Sequence, residues 1–258
     1  MSSIAYFNDF LAITATLFLS LEHRIDDWID MNFKKLRQLV ASKGNGNLTT
    51  EEYPVSSFLR LHISIPCALE LIASDEEKIV VTTDENLQSF ISSVNSGRTL
   101  YVSLKQVFKI PDFSSLKIQV FVRQIDTLNI GAEGHVIMTE AFKGVLPLDI
   151  KVQSEGDTEL RLSAPSIKLN VQSHGDLKIV GECNVFSAKT QSHGNFDARD
   201  LFAQNTTFST QSKGNAWIYG SETLVIKHSA DGFVHYYGDG ILKDVRHQGT
   251  GVVKHCKI

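Results

Sequence analysis

Three kinds of sequence feature are scarce in this chain, and each absence removes a class of protein. The 258 residues include three cysteines, Cys67, Cys183 and Cys256, which are far apart and form no CxxC spacing. Neither a disulfide framework nor a zinc site is therefore indicated, and the cysteines are expected to be small buried hydrophobic residues. The net charge of −4 provides no basic patch of the kind that nucleic acid requires. Nucleic acid is accordingly not expected as a partner.

The third scarce feature is a long apolar run. Residues 4–21 are mostly apolar, but only 10–21 are free of charge, about half of the ~20 residues that a transmembrane helix needs. No lysine or arginine precedes this run, and no lipidation cysteine or small-residue cleavage site follows it. The segment therefore fits the rules for a signal peptide and for a membrane span poorly.

Residues 22–40 carry apolar side chains at three- and four-residue spacing, which predicts an amphipathic helix. We assign residues 1–42 to an N-terminal hydrophobic and helical segment, and residues 43–258 to a second domain. Three interpretations of the segment stay open: a helix that packs on the domain or covers one end of it, membrane association through residues 4–40, and a start codon assigned upstream of the true one. The apolar positions are Ile25, Trp28, Ile29, Phe33, Leu36, Leu39 and Val40.

From the turn KGNGN at 43–47 onward, short runs alternate apolar and polar residues with the period of a β-strand. Residues 84–93 break the alternation and are expected to form a helical turn or an irregular connection. The acidic residues at 75–77 and 84–85 lack the spacing of a calcium loop, so solvated turns are expected there. The predicted strands are 58–65, 68–72, 78–83, 100–104 and 116–122.

The second half of the chain repeats one pentapeptide, QSEGD at 153, QSHGD at 172, QSHGN at 191 and QSKGN at 211. Aligned glycines extend the repeat at intervals of 22, 19, 19, 20, 18 and 19 residues, a period that suits one β-coil per repeat. The arms on either side of each glycine place apolar residues at one parity, so these residues face one interior. The glycines are Gly134, Gly156, Gly175, Gly194, Gly214, Gly232 and Gly251.

This pattern predicts an all-β fold, a right-handed parallel β-solenoid (β-helix) with coils of ~19 residues, beside the N-terminal helical segment. Equivalent strands would then stack about 4.8 Å apart. The repeated glutamines are expected to form a hydrogen-bonded ladder outside, and the serines that follow them to point inward at the corner. Glycine at each corner is expected to allow a positive φ. The ladder residues are Gln153, Gln172, Gln191 and Gln211.

Several motifs, in the same order along the chain, resemble the head GIN domain, also called the auto-transporter adhesin domain. They are the Ser-x-Gly-Asp/Asn corners, KGNGN followed by LTTEEYPVSSFLRLHISIP, DEEKIVVTTDENL, and the closing YYGDGILKDVRHQGTGVVK. The resemblance runs from about residue 43 to the end. It implies a β-solenoid, a source mainly among Bacteroidetes-type bacteria, export or lipid anchoring, and no established activity. The chain departs from the family in its QSHGD and QSKGN corners, where SGSGD is commoner, and in its lack of a recognisable signal or lipobox.

Stacked corners bring polar residues of successive repeats together. His174 and His193 hold the same place one coil apart, close enough to share a metal with a carboxylate. Asp157 and Asp176 are likewise one coil apart, at the separation of a retaining glycosidase pair. Against both interpretations, the histidines occupy an outward turn with no third ligand fixed, and an aspartate after a corner glycine is ordinarily a turn former. We therefore assign no catalytic residue, metal or cofactor, and retain these four residues as a polar ladder.

Four outward-facing rings, Trp217, Tyr219, His235 and Tyr237, are the candidate ligand-binding residues. They hold corresponding positions in two consecutive coils and so present rings on one surface. Flat aromatic surfaces of this kind bind sugars or partner proteins. The alternative is an aromatic patch that the final coil or the N-terminal helix covers.

Three functional hypotheses remain. The first is a non-catalytic, adhesin-like β-solenoid of the cell envelope or exterior that binds glycan or protein through its outer faces. The second is a carbohydrate-active enzyme, a hydrolase or lyase, that uses stacked carboxylates. The third is a structural module that self-associates through exposed ends or edges. A cytoplasmic or membrane-associated location is the alternative to the cell envelope.

Overall fold

The computed structural model of the protein describes residues 41–105 and 110–257. Of the N-terminal helical segment predicted at 1–42, residues 1–40 lie outside the described residues, and residues 41 and 42 belong to a β-strand. The described chain falls into two compact units. The smaller contains β1 (Ala41–Lys43) and β8 (Ile110–Asp112), which pair in parallel. In the described ranges no helix is both long and apolar enough to cross a membrane.

The described part of the larger unit consists of β-strands of 2 to 14 residues and one 3-10 helix. Residues 84–93, expected to be a helical turn or irregular, contain the 3-10 helix Glu85–Phe90. The five strands predicted between residues 58 and 122 are confirmed as β3, β4, β5, β7 and β9. The strands are β2 (Leu48–Pro54), β3 (Arg60–Ser64), β4 (Ala68–Ala73), β5 (Lys78–Asp84), β6 (Ile91–Ser96), β7 (Thr99–Leu104), β9 (Leu116–Val122), β10 (Thr127–Ala132), β11 (Val136–Met138), β12 (Phe142–Lys143), β13 (Leu148–Ser154), β14 (Thr158–Val171), β15 (Leu177–Thr190), β16 (Phe196–Ala198), β17 (Leu201–Thr210), β18 (Ala216–Tyr219), β19 (Thr223–His228), β20 (Val234–Tyr237), β21 (Ile241–His247) and β22 (Val253–His255).

The predicted β-solenoid is confirmed, with equivalent strands of successive coils paired in parallel. Strands that precede the corner glycines form one stack, and strands that follow them form another; the long β14 and β15 run through both. The pre-corner stack is β7, β3, β10, β13, β14, β15, β17, β19 and β21. The post-corner stack is β9, β4, β11, β14, β15, β16, β18, β20 and β22.

The solenoid interior is apolar because each arm alternates buried and exposed residues. Phe186, Phe196 and Phe208 stack inside it, with ring centroids 6.4 and 5.2 Å apart. Full burial of one such side chain contributes about 1.5–3 kcal/mol of stability. The predicted burial of the cysteines is confirmed for Cys67 and Cys183, where desolvation raises the thiol pKa to about 12. It is wrong for Cys256, which is half-buried because it follows the last strand.

One end of the stack is closed by antiparallel strands. β6 pairs with the outer edge of β7, while β5 pairs with β9 and β2 with β5. Here Asp84, at the end of β5, is fully buried, so the expected solvated turn is wrong at this residue. Its carboxylate accepts hydrogen bonds from Gly46 N, Ser114 N and Ser114 Oγ at 2.8, 2.8 and 2.7 Å. These bonds hold the KGNGN turn against the closing strands.

The corner glycines do not have the expected positive φ; the glycines that do are elsewhere in the chain. Glycine is required at the corners because the backbones of successive corners lie directly against each other. A Cβ on Gly175 would lie 2.5 Å from the carbonyl carbon of Gly156. On Gly194 it would collide with the carbonyl oxygen of Gly175. Glycine therefore recurs at the corner because the backbones of successive coils lie in close contact there.

The glutamine ladder predicted at the corner is confirmed. Gln153, Gln172, Gln191 and Gln211 join side chain to side chain, with Nε2 to Oε1 distances of 2.9, 3.2 and 2.7 Å across spacings of 19, 19 and 20 residues. The serines are buried, as expected. Ser154, Ser173 and Ser192 each donate to the carbonyl of the corner glycine two residues on. The hydroxyl thus satisfies a backbone group where the chain bends.

Candidate functional site

The candidate aromatic residues lie together on the outer surface of the post-corner stack. The register of β18 and β20 pairs Trp217 with His235 and Tyr219 with Tyr237, as the repeat predicts. All four side chains are half-buried. β22 pairs with β20 on the side away from β18, so the final coil covers one flank of the group.

Both faces of the Trp217 ring are covered by neighbouring coils. The His235 ring, from the following coil, stacks on it at 6.0 Å with 12° between planes. The Arg199 guanidinium, from the preceding coil, lies 4.9 Å from its centroid. Outer side chains of a solenoid stack along its axis, so Trp217 presents its edge to solvent. The open ring face expected from the sequence is not available at this residue.

Arg199 is fixed in place by Asp197. Its Nε lies 2.9 Å from Asp197 Oδ1, and this hydrogen-bonded ion pair raises the pKa of the guanidinium. The cation then packs on an indole, a contact that contributes about 0.5–2 kcal/mol. Arg199 was not predicted. The residue in register with Trp217 on the preceding coil is Asp197, and Arg199 lies two positions after it.

His235 and Tyr237 extend the group towards the last coil. His235 Nδ1 lies 3.3 Å from Cys256 Sγ. Burial raises the pKa of the Tyr237 hydroxyl, with a smaller contribution from Cys256, so the phenol is neutral and can donate a hydrogen bond. Indole, imidazole and phenol edges therefore form a rigid surface of hydrogen-bonding groups.

Two open aromatic rings flank this surface, and sequence reasoning missed both. Phe202 is 57% exposed and meets Tyr219 edge to face at 5.2 Å. Phe233 is 48% exposed and lies 6.4 Å from His235. The signal was present for Phe202, since in β17 it falls at the outward parity between buried Leu201 and Ala203. We call the six rings, Trp217, Tyr219, His235, Tyr237, Phe202 and Phe233, the aromatic surface.

A polar groove of about 530 Å³ leads along the stacked coils to Trp217. Its floor repeats an Asp or Asn at each corner, and these side chains brace the next coil. Asp157 Oδ1 accepts from Asp176 N at 2.9 Å, and Asp176 Oδ1 accepts from Asn195 N at 2.7 Å. Asn195 Oδ1 continues the ladder to Asn215 N at 3.0 Å. Asp157 and Asp176 therefore act as turn residues. The amide oxygen of Asn195 accepts the same backbone hydrogen bond as their carboxylate oxygens do.

His174 and His193 stack as expected from their register. The ring centroids are 5.0 Å apart with 7° between the planes, and both rings are exposed. Within residues 41–105 and 110–257 no group of three metal-ligating side chains occurs. The pair is therefore an exposed imidazole stack beside the Gln ladder.

Known proteins share this architecture. A family model described as "putative auto-transporter adhesin, head GIN domain" matches residues 57–240. A crystal structure of a "putative adhesin" from Bacteroides fragilis aligns with a TM-score of 0.77 at 19% identity, covering 84% of this chain and all (100%) of that one. A "putative lipid binding protein" from Parabacteroides distasonis aligns with a TM-score of 0.64 at 19% identity, covering 84% and 99%. A "putative adhesin" from Parabacteroides merdae gives 0.61 at 17%, with the same coverage.

These likenesses to solved structures show the fold. No curated protein matches the chain. The family model spans most of the sequence and covers the polar groove, the whole aromatic surface and six of the seven corner glycines, all but Gly251. The chain belongs to the head GIN domain family.

Proposed function

We propose that this protein is a non-catalytic, adhesin-like module of the cell envelope that binds a glycan chain along the polar groove and the aromatic surface. The observation that carries the proposal is the position of Trp217. It stands where a groove with a repeating polar floor meets a cluster of six rings. An elongated polymer with repeated hydroxyl groups matches repeated acceptors and donors better than a compact ligand does.

The aromatic surface supplies two kinds of contact to such a ligand. Phe202 offers an open ring on which the apolar face of a sugar can pack. Trp217, Tyr219 and Tyr237 offer ring edges with an N–H or O–H group for sugar hydroxyls. Arg199, already oriented by Asp197, adds a fixed donor. Prior fixation of these groups lowers the entropy lost on binding.

The roles of the stacked carboxylates favour binding over cleavage. Asp157 and Asp176 each hold the backbone of the following coil, and Asn195 performs the same task one coil on. A general acid of a glycosidase needs a desolvated carboxyl, whereas both of these are exposed. The location at the cell surface rests on the family and on relatives named as adhesins.

A polysaccharide panel tests the proposal. The protein is incubated with each polymer, binding is measured by affinity electrophoresis, and the products are examined by mass spectrometry. We expect at least one polymer to be retained and recovered at its original length. Asp176→Asn should bind and melt as the original chain does, because an amide oxygen replaces the carboxylate acceptor. Reproducible cleavage that disappears in Asp176→Asn would establish the enzyme hypothesis instead.

A further inference from the structure

The two ends of the solenoid differ in whether their outermost strands are protected against pairing with another chain. The first end is closed by antiparallel strands, and the outermost of these, β2, carries Glu51, Glu52 and Pro54. Charges and proline on an edge strand discourage pairing with another chain. The edge of β6 is occupied too, since Asn95 exchanges hydrogen bonds with Ser56 N and Ser56 O, both at 3.0 Å. This end is protected against association.

The other end leaves strand edges and core residues open. Among the described strands β21 pairs with β19 alone, and β22 with β20 alone. Leu242 and Val245 of β21 continue the interior columns of Leu224 and Ile226. Those two are fully buried, whereas Leu242 and Val245 are 37% and 39% exposed. A further layer of strand would bury them.

The charge pattern of β21 indicates which strand could pair with its open edge. Asp244 and Arg246 face outward, in register with Val225 and Lys227, and flank the inward Val245. Within one chain Arg246 Nε lies 3.1 Å from Asp244 Oδ2, so pairing between two copies extends an existing ion pair to four charges. The order acidic, apolar, basic is complementary to itself when the strand is reversed. In an antiparallel pair centred on Val245, each Asp244 lies opposite an Arg246. Opposite charges directly across a strand pair stabilise it, and like charges destabilise it.

We propose that the C-terminal coil is a dimerisation surface, on which β21 pairs antiparallel with β21 of a second copy of this chain about a two-fold axis at Val245. The register shift opposite Lys243, between Leu224 and Val225, confines the pairing to the half of β21 that follows it. An isologous pair of this kind is closed, so it yields dimers and not fibres. The surface lies beyond the proposed glycan site, and its test is independent of ligand binding.

Charge complementation on the full chain tests the proposal. We expect sedimentation equilibrium to show a dimer for the original protein, and Asp244→Arg and Arg246→Asp each to raise the dimer dissociation constant at least tenfold. Mixing the two variants should restore the dimer to within about threefold, because two arginines then face two aspartates. The double variant, with both charges reversed, should also dimerise. Recovery on mixing shows that both chains are folded.

Arg161→Asp is the matched control. Arg161 belongs to an exposed ion pair with Glu159 at the same two-residue spacing, but on β14, which is paired on both sides. It should leave the dimer unchanged. A monomer at about 100 µM, where a micromolar dimer would be mostly assembled, overturns the proposal. Failure of the mixed variants to recover overturns it as well.

Discussion

At the scale of single residues, the corner glycines are required by contact between backbones. Valine at position 194 would place its Cβ against the carbonyl oxygen of Gly175 and force two coils apart. We expect Gly194→Val to lower the free energy of unfolding by at least about 3 kcal/mol, the upper range for overpacking. The measurement is chemical denaturation. His193→Ala is the control, because the exposed neighbouring side chain should matter by no more than about 0.5 kcal/mol. Equal stability of the two variants would refute close corner stacking.

Asp84 gives the fold a defined dependence on pH. Hydrogen bonds from Ser114, first through its hydroxyl, and from Gly46 lower the pKa of its carboxyl in the folded state. The folded chain therefore binds fewer protons here than the unfolded chain. The resulting stability is fully present above the unfolded pKa near 3.8, and is lost as the pH falls through the folded value.

The prediction for Asp84→Asn follows from that sign. The variant should melt at a lower temperature than the original chain at pH 7, and the gap should narrow as the pH falls below about 4. Thermal melts from pH 7 to pH 2 measure it. Asp239→Asn, at an exposed site, serves as the control and should track the original chain. A gap that stays constant with pH would show that Asp84 acts through packing alone.

At the scale of elements, the ladders show how a short repeat specifies register. Gln172→Ala removes two side-chain hydrogen bonds, one to each neighbouring coil. Since the ladder is exposed and water can replace both bonds, we expect a loss of only about 0.5–1.5 kcal/mol, the net value of a single intramolecular hydrogen bond. Lys189→Ala, on the same exposed face, should cost less. Denaturant titration measures the free energy of unfolding of both variants. An equal loss in the two would mean that the hydrogen bonds of the glutamine ladder add no stability of their own.

The repeated coils could be predicted because their cause is local. Alternation assigns the arms to strands, and a constant interval then fixes which strands are neighbours, as it did for Trp217 and His235. The closed end could not be predicted in the same way. β7 and β9 follow β3 and β4 in the chain, but they pair with the edges of β3 and β4 that face away from β10 and β11. Alternation identifies such strands but contains no information on their partners.

The corner glycines illustrate the same limit at finer detail. Sequence reasoning located every corner but attributed glycine to a positive φ. The true cause is a contact with a residue 19 positions away, which no local rule for turns includes. Asp84 is similar, since it satisfies Gly46 and Ser114 from 38 and 30 residues away. Local propensity therefore predicts where a turn lies, but contacts with residues distant in the chain determine why glycine or aspartate is needed there.

At the scale of the whole molecule, the larger unit combines stacked coils of one repeated form with one differentiated outer region. The candidate site was predicted as four rings. The structure adds Arg199, Phe202 and Phe233, and changes the chemistry of Trp217 from an open face to an edge. Those differences depend on side-chain stacking along the axis, which the repeat period alone does not define.

The most direct test of the central claim is isothermal titration with the polymer that the chain retains, using Phe202→Ala and Trp217→Ala. Tyr101→Ala is the matched control, because Tyr101 is a similarly exposed aromatic residue, 42%, on β7 of the other stack. We predict that each site variant weakens binding at least tenfold, corresponding to about 1.4 kcal/mol, while it remains folded at the temperature of the titration, and that Tyr101→Ala binds normally. Undiminished binding by both site variants would contradict the account and move the ligand to another face of the solenoid.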